Sequence, residues 1–296
     1  MCSRARARAA CCLRRRPSSS PSSPRAFSSS RLTDWLATCR AAVEDVRGVL
    51  AELPTRVERE PVVGAGKGGD DTVAIDAAAE DAIVRRLEAI GADFTLISEE
   101  LGERAFGSGG PTHVIVDPID GSLNAKRGIP FFALSLAVAE GATLDDVHFG
   151  YVYDFGTGEE WTAERGAGAY LGGVPLGAVK PKDEIEILSF EATLTSSVAE
   201  KAAQMVGIAY RLRIMGSLAL SLCHLAAGRV DAVCSLKGAR SVDIAAAQLL
   251  VRECGLAIDL PEAPPFGRAP LDTEGRSRVV AAGTPELCRE LFAALS

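Results

Sequence analysis

The sequence predicts a mixed α/β protein with an α+β first half and an α/β second half. Apolar residues recur at helical spacing from Leu32, at Trp35, Leu36, Val43, Val46 and Leu50. Strand-length apolar runs then crowd together between residues 94 and 163 with little helix between them. From residue 185 onward, short apolar runs alternate regularly with helical patterns.

Residues 1–30 are rich in Arg, Ser and Pro and contain no acid, so they do not fold by themselves. They read as a disordered N-terminal extension, either an organellar transit peptide or an upstream extension of the reading frame. A helix follows from Leu32, and Pro54 lies just past its end. A loop, Gly64-Ala65-Gly66-Lys67-Gly68-Gly69, leads to a second helix over about Ala77 to Ala89. Strands are expected at 94–98 (FTLIS) and 112–117 (THVIVD), and a short helix opens at Gly121. Long strands follow at 131–139 and 147–154, with another at 158–163. The second half reads as strand 185–190, helix 196–206, strand 210–214, helix 217–227, strand 230–235, helix 244–254, strand 278–282 and helix 285–295. The Pro-rich run at 261–270 is a loop. This divides the chain into an extension (1–30), an α+β subdomain (31–182) and an α/β subdomain (183–296).

The 296 residues are 47% hydrophobic and 24% charged, the balance of a folded protein with ample core. No run approaches the roughly 18 apolar residues of a membrane-spanning helix. The formal charge is −7. Residues 1–30 contribute seven arginines to that total, so the remainder carries −14. An acidic body argues against a nucleic-acid partner and is compatible with a site that holds cations. The eight cysteines form no C-x-x-C pair and lie mostly in apolar contexts, which suits reduced, buried thiols and a cytoplasmic setting. The extension would allow an organellar matrix instead. His113, His148 and His224 are isolated and give a zinc site little support.

Five acids end strands or open helices: Asp76, Glu99, Asp117, Asp120 and Asp243. In DPIDGS, Pro118 sets a turn after a buried strand, so Asp117 and Asp120 can point towards one place. Gly121 permits close approach of a ligand, and the amides of Gly121 and Ser122 would form an anion site at a helix start. Carboxylates beside an anion site make chemical sense if cations lie between them. Hard oxygen donors suit Mg²⁺, which often bridges protein carboxylates and a substrate phosphate. The competing reading is plain N-capping by Asp76, Asp120 and Asp243, with Glu99-Glu100 a solvated pair.

The segments GDDTVAIDAAAEDAI, ISEE, DPIDGSLNAKRGIPFFALSLAV, TAERGAGAYLGG, GSLALSLCHLAAGRVDAV and SVDIAAAQLLVRECG resemble, in order and spacing, the inositol monophosphatase superfamily. The likeness runs from about Leu32 to Leu295 and is greatest to its archaeal branch, whose members act as inositol monophosphatases and fructose-1,6-bisphosphatases. The resemblance implies a layered α-β-α-β-α sandwich of the sugar-phosphatase type, two or three Mg²⁺ ions per site, a small phosphorylated substrate and a homodimer. It implies metal ligation by Glu99, Asp117 and the Ile119 carbonyl at one ion and by Asp117, Asp120 and Asp243 at a second. Asp76 would hold a further ion or its water. By the same resemblance Asp76, Glu99 and Ser122 would carry the catalytic roles, and Gly121 and Ser122 would hold phosphate oxygens. A 3′-phosphoadenosine 5′-phosphate or NADP phosphatase is the alternative, with a non-catalytic phosphometabolite-binding protein behind it.

In animal members a Glu seven residues before the last metal Asp binds inositol hydroxyls; Leu236 stands there in this chain. Lys237 and Arg240 instead offer charge for a second phosphate, with Arg165 and Arg213 as further candidate substrate contacts. Ala125, Val242 and Cys254-Gly255-Leu256 depart from the usual residues and put the pocket wall in doubt. Lys67 does not make a nucleotide P-loop, which would need Gly at Pro61 and Ser or Thr at Gly68. Its glycine loop reads instead as a mobile active-site loop.

Overall fold

In the computed structural model, which describes residues 33–296 apart from 66–70, 179, 181, 183, 192, 193 and 264, the first helix opens at Asp34. Its carboxylate accepts the Ala37 amide at 3.0 Å, as N-caps do, and α1 runs Trp35–Glu52. A single helical turn, α2 (Arg56–Arg59), precedes an antiparallel hairpin of β1 (Val62–Ala65) and β2 (Asp71–Val73), and α3 spans Ala74–Glu88. The readings for residues 1–30 and for Lys67 lie outside the described residues.

Next in the chain come β3 (Phe94–Ser98), β4 (Gly102–Phe106), β5 (Thr112–Asp120), the short helix α4 (Ser122–Arg127), β6 (Ala133–Glu140), β7 (Val147–Asp154), β8 (Glu160–Glu164), β9 (Gly168–Leu171) and β10 (Val174–Pro175). These eight strands form one sheet in the order β10-β9-β8-β7-β6-β5-β3-β4, antiparallel except for the β3–β5 pair. The second half contributes β11 (Ile185–Glu191), α5 (Thr195–Ala202), β12 (Ala209–Arg213), α6 (Leu218–Ala226), β13 (Ala232–Ser235), α7 (Ser241–Glu253), β14 (Ala257–Asp259), β15 (Val280–Ala282) and α8 (Pro285–Leu295). Its sheet has the order β12-β11-β13-β15-β14, with β11 parallel to both β12 and β13.

Alternation along the strands sorts the core into layers. In β5, Val114 and Val116 join the cluster beneath α1 and α3, while Ile115 joins the cluster shared with α6 and α7. In β6, Leu134, Leu136 and Val138 face the first layer, and Ala133, Ala137 and Ala139 face α7. The second sheet repeats the pattern: Val233 and Ala281 face the central helices, and Ala232, Cys234, Val280 and Ala282 face α8. The result is helix, sheet, helix, sheet, helix, the predicted α-β-α-β-α sandwich. Small residues set the spacing. A Cβ at Gly150 of β7 would lie 2.7 Å from the Ala246 carbonyl oxygen of α7, so the helix rests directly on the sheet.

Several elements depart from expectation. The strands β1, β2, β4, β9, β10 and β14 were not anticipated, β1 taking in Gly64 and Ala65 of the expected loop, because each is short and polar, glycine-bearing or half-exposed, with too little apolar patterning to register. The helices α3 and α7 each begin about three residues earlier than their apolar periodicity suggests. Asp76 and Asp243 therefore sit inside first turns rather than at caps. The departures from the family pattern also fall elsewhere than expected. Ala125, Val242, Cys254 and Leu256 are all buried in the core and none lines the site cavity. Leu236 packs against the outer cluster under α8.

Candidate active site

The C-terminal ends of the parallel strands from both sheets open on one cavity of about 570 Å³. Ligands commonly meet α/β sheets at such ends. Glu99 follows β3, and Asp117 and Asp120 close β5. Between these two the pairing with β6 slips, since Asp117 opposes Ser135 and Asp120 opposes Ala133. This bulge turns both acids into the cavity, where they meet Asp243 from the first turn of α7. Ile119, Gly121 and Ser122 line the same wall.

Each acid is fixed by named donors. Asp117 Oδ1 accepts the Ile119 amide at 3.0 Å. Asp120 Oδ2 accepts the Ser217 hydroxyl at 2.5 Å and the Ala219 amide at 2.7 Å. Asp243 Oδ2 accepts the Arg240 amide at 2.7 Å. Gly121 has φ +96°, and a Cβ there would lie 3.1 Å from the carbonyl oxygens of Gly216 and Phe131. Glycine is therefore required where β5 turns into α4.

Packing acids together in a buried place makes their charged forms costly. Burial, then the charges of Glu99, Asp120 and Asp243, hold Asp117 well above the usual carboxylate range. Burial lifts Asp120 to about 7 against its bond from Ser217, and burial also raises Glu99, with Arg240 opposing. Asp76 is likewise pushed up to about 7, by burial and then by Glu99 and Glu100. Its Oδ1 is buried without a hydrogen-bond partner. The Ser122 hydroxyl, which donates to the Ile119 carbonyl at 3.0 Å, pulls Asp76 the other way.

An orphaned carboxylate oxygen on Asp76, close enough to Glu99 to feel its charge, is what a hard divalent cation would satisfy. The donor set is all oxygen, from Asp, Glu and a backbone carbonyl, so it fits Mg²⁺ in kind. Among the described residues no three acidic, His or Cys side chains are arranged, as they stand, to hold one ion. Arg240 reaches between Glu99 and Asp243 there.

The basic candidates divide. Lys237 lines the cavity. Arg240 lines it too, but its guanidinium is spent on the acids rather than offered to a ligand. Arg165 is a correction: it lies between β8 and β9, where it donates to the carbonyls of Val147 and Asp145 and ties a loop, away from the cavity lining. Arg213 is another, because its guanidinium turns back on the Leu212 carbonyl at the exposed edge strand β12.

Sequence reasoning missed Glu191, Arg276 and Glu80. Glu191, buried at the end of β11, accepts from Ser189, Ser221 and the amides of Met215 and Gly216. It braces the segment that carries Ser217 to Asp120. Arg276 lines the cavity from a loop folded on Asp272. Buried Glu80 accepts from the Ser98 hydroxyl and the Leu101 amide, steadying the turn that carries Glu99. A buried-strand acid such as Glu191 is a detectable oddity in FEATL, whereas Arg276 leaves no signal in its polar loop.

The profile of the inositol monophosphatase family matches residues 34–295. A fructose-1,6-bisphosphatase/inositol-1-monophosphatase of Methanothermobacter thermautotrophicus is 34% identical over 270 residues, covering 84% of this chain and 96% of the relative. A protein of the same description from Archaeoglobus fulgidus is 33% identical over 254 residues, covering 84% and 93%. A crystal structure described as an inositol monophosphatase-fructose 1,6 bisphosphatase superposes with a TM-score of 0.76 at 27% identity, over 88% of this chain and 100% of that one.

Proposed function

Because the chain belongs to the inositol monophosphatase family and is a phosphatase, we propose that it hydrolyses inositol monophosphate and fructose-1,6-bisphosphate with Mg²⁺ held by Glu99, Asp117, Asp120, Asp243, Asp76 and the Ile119 carbonyl. The observation that carries this reading is the meeting of four carboxylates from three distant segments in one cavity. The ions, two or three per site, supply charge neutralisation for the phosphate dianion, a lowered pKa for attacking water and stabilisation of the leaving alkoxide.

The chain's own residues do the positioning. Asp76 and Ser122 lie together, the serine hydroxyl opposing the burial that raises Asp76, so a water between them would be oriented by the hydroxyl and would pass its proton to the Asp76 carboxylate. Gly121 and Ser122 present backbone amides to phosphate oxygens. Ser217 and Ala219 keep Asp120 aimed into the cavity. The work is orientation and charge balance, as in other phosphoryl transfers. Lys237 and Arg276 on the cavity wall suit the second phosphate of a sugar bisphosphate.

Two further parts of the proposal concern setting. No helix among the described residues is long and apolar enough to cross a membrane. The buried free thiols of Cys39, Cys223, Cys234, Cys254 and Cys288 support a reducing compartment, for which we propose the cytoplasm. A homodimer is proposed from the family.

The test is phosphate release with Mg²⁺ from fructose-1,6-bisphosphate, inositol-1-phosphate, 3′-phosphoadenosine 5′-phosphate and NADP in parallel. The proposal expects turnover of the first two. Turnover confined to the nucleotides would replace it with the nucleotide-phosphatase reading.

A further inference from the structure

Arg240 stands where the proposed site requires positive charge. It immediately precedes α7 and is only 9% exposed. Its Nη2 donates to a Glu99 carboxylate oxygen and, at 2.9 Å, to Asp243 Oδ1. Its Nε lies 3.2 Å from the same Oδ1 and 3.4 Å from Oδ2, and its own amide caps Oδ2 at 2.7 Å. One guanidinium thus ties the turn after β3 to the start of α7, 141 residues apart in sequence, and occupies both oxygens of Asp243.

Those oxygens cannot serve two masters. Mg²⁺ bonds carboxylate oxygens at about 2.0–2.1 Å in a near-octahedral shell. A guanidinium already lying on the same lone pairs would sit within roughly 5 Å of the ion, in a partly buried place where like charges repel strongly. Breaking a buried ion pair without replacing the lost charge is costly, and an arriving dication supplies that replacement. The cavity that Arg240 lines, with Lys237, Gly238 and Arg276 on its wall, gives the displaced side chain somewhere to go.

We propose that Arg240 is an exchangeable counter-ion: it competes with a divalent cation for Glu99 and Asp243, and ion binding releases it into the cavity to extend the cationic wall of Lys237 and Arg276. The proposal rests on the metal reading above. It makes metal loading and the formation of a complete second-anion site one event, reciprocal in energy.

The test uses the full chain stripped with EDTA and free of substrate. Mg²⁺ binding is measured by titration calorimetry for the wild type, Arg240→Met and Arg240→Lys, and thermal unfolding of each is followed in EDTA and in saturating Mg²⁺. The proposal expects Arg240→Met to bind its first ion about 10-fold tighter or more, to unfold below the wild type in EDTA, and to regain most of that deficit in Mg²⁺. Arg240→Lys, which keeps the charge without the bridging fork, should bind with intermediate affinity and keeps the test open if the Met variant folds poorly. Equal or weaker ion binding by the variants overturns the exchange, as does a thermal deficit that Mg²⁺ leaves unchanged, which marks a plain structural bridge. Failure of the wild type to bind Mg²⁺ would overturn the metal reading and the exchange together, so the two failures are distinguishable.

Discussion

Ser217 and Asp120 are joined across 97 residues by a 2.5 Å hydrogen bond from the serine hydroxyl to the carboxylate Oδ2. Ser217 also caps α6, accepting the Leu220 amide at 3.3 Å. One hydroxyl therefore fixes both a helix start and the direction of an acid in the cavity. Ser217→Ala should lower kcat about 10-fold by loosening Asp120, and weaken α6 by about 1 kcal/mol through the lost cap. Steady-state kinetics and urea unfolding of the same preparation would show both effects. A loss of about 1 kcal/mol with unchanged kcat would mean that the cap alone matters.

Asp120 itself should matter far more. Asp120→Asn keeps the acceptor oxygen for Ser217 and Ala219 but removes the charge, and should cut turnover by at least ~10³-fold with the fold intact. Circular dichroism checks the fold, and near-normal turnover would remove Asp120 from the proposed ligand set.

Both carboxylate oxygens of Glu191 accept hydrogen bonds, Oε2 from the Gly216 amide at 2.9 Å and Oε1 from the Ser221 hydroxyl at 2.7 Å among others. Glu191→Gln sets an NH₂ group against at least one of them. The expected cost is about 1–3 kcal/mol, with a fall in kcat/KM because the 215–219 segment loses its brace. Denaturant midpoints and kinetics would register the two losses together. Unchanged kinetics in a destabilised protein would confine Glu191 to the core.

Glu80 predicts a pH dependence. Burial raises its pKa above the ordinary value against the bonds from Ser98 and Leu101. The folded state therefore keeps the proton at a pH where the unfolded chain has lost it, and ν_U − ν_N is negative over that window. Glu80 thus costs stability progressively as pH rises from the ordinary glutamate range through the raised folded value. Glu80→Gln keeps the acceptor oxygen and removes the titration. Its Tm should exceed that of the wild type by a few degrees at pH 8 and match it near pH 4. A pH-independent difference between the two proteins would contradict this.

Gly150 predicts a purely structural effect. A Cβ placed 2.7 Å from the Ala246 carbonyl oxygen must push α7 off the sheet, so Gly150→Ala should destabilise by about 1–3 kcal/mol. Thermal unfolding checks it. An unchanged Tm would show that α7 can shift without loss.

Much of this arrangement is legible in the amino-acid order because its signals are local. Near-continuous apolar runs in HVIV and ALSLAV report two-sided burial, and DPIDGS reports a turn between two acids. The bulge between Asp117 and Asp120 extends β5 to residue 120, past the Pro118 at which the sequence pattern ends it. Helix starts were misjudged for one reason: in AIDAAAED and SVDIAAAQ the first turn carries an acid where periodicity expects an apolar residue. The reach of Arg240 towards Glu99 was not legible, since that contact spans the junction of the two halves. The arginine reads locally as one of a pair with Lys237. Arg165 and Arg213 misled because a guanidinium in a motif satisfies a carbonyl as readily as a phosphate.

The five described thiols have a consequence outside catalysis. Cys39 lies on α1, Cys223 on α6, Cys254 just past α7, Cys234 on β13 and Cys288 on α8, which puts a thiol in nearly every layer of the sandwich. All five are sealed, and burial pushes each above the ordinary thiol range, so an alkylating reagent meets them only after the layer around them has parted. The protein is in effect barcoded in depth. A timed pulse of reagent during unfolding, read by mass, would record the order in which helices and sheets separate without a single introduced label.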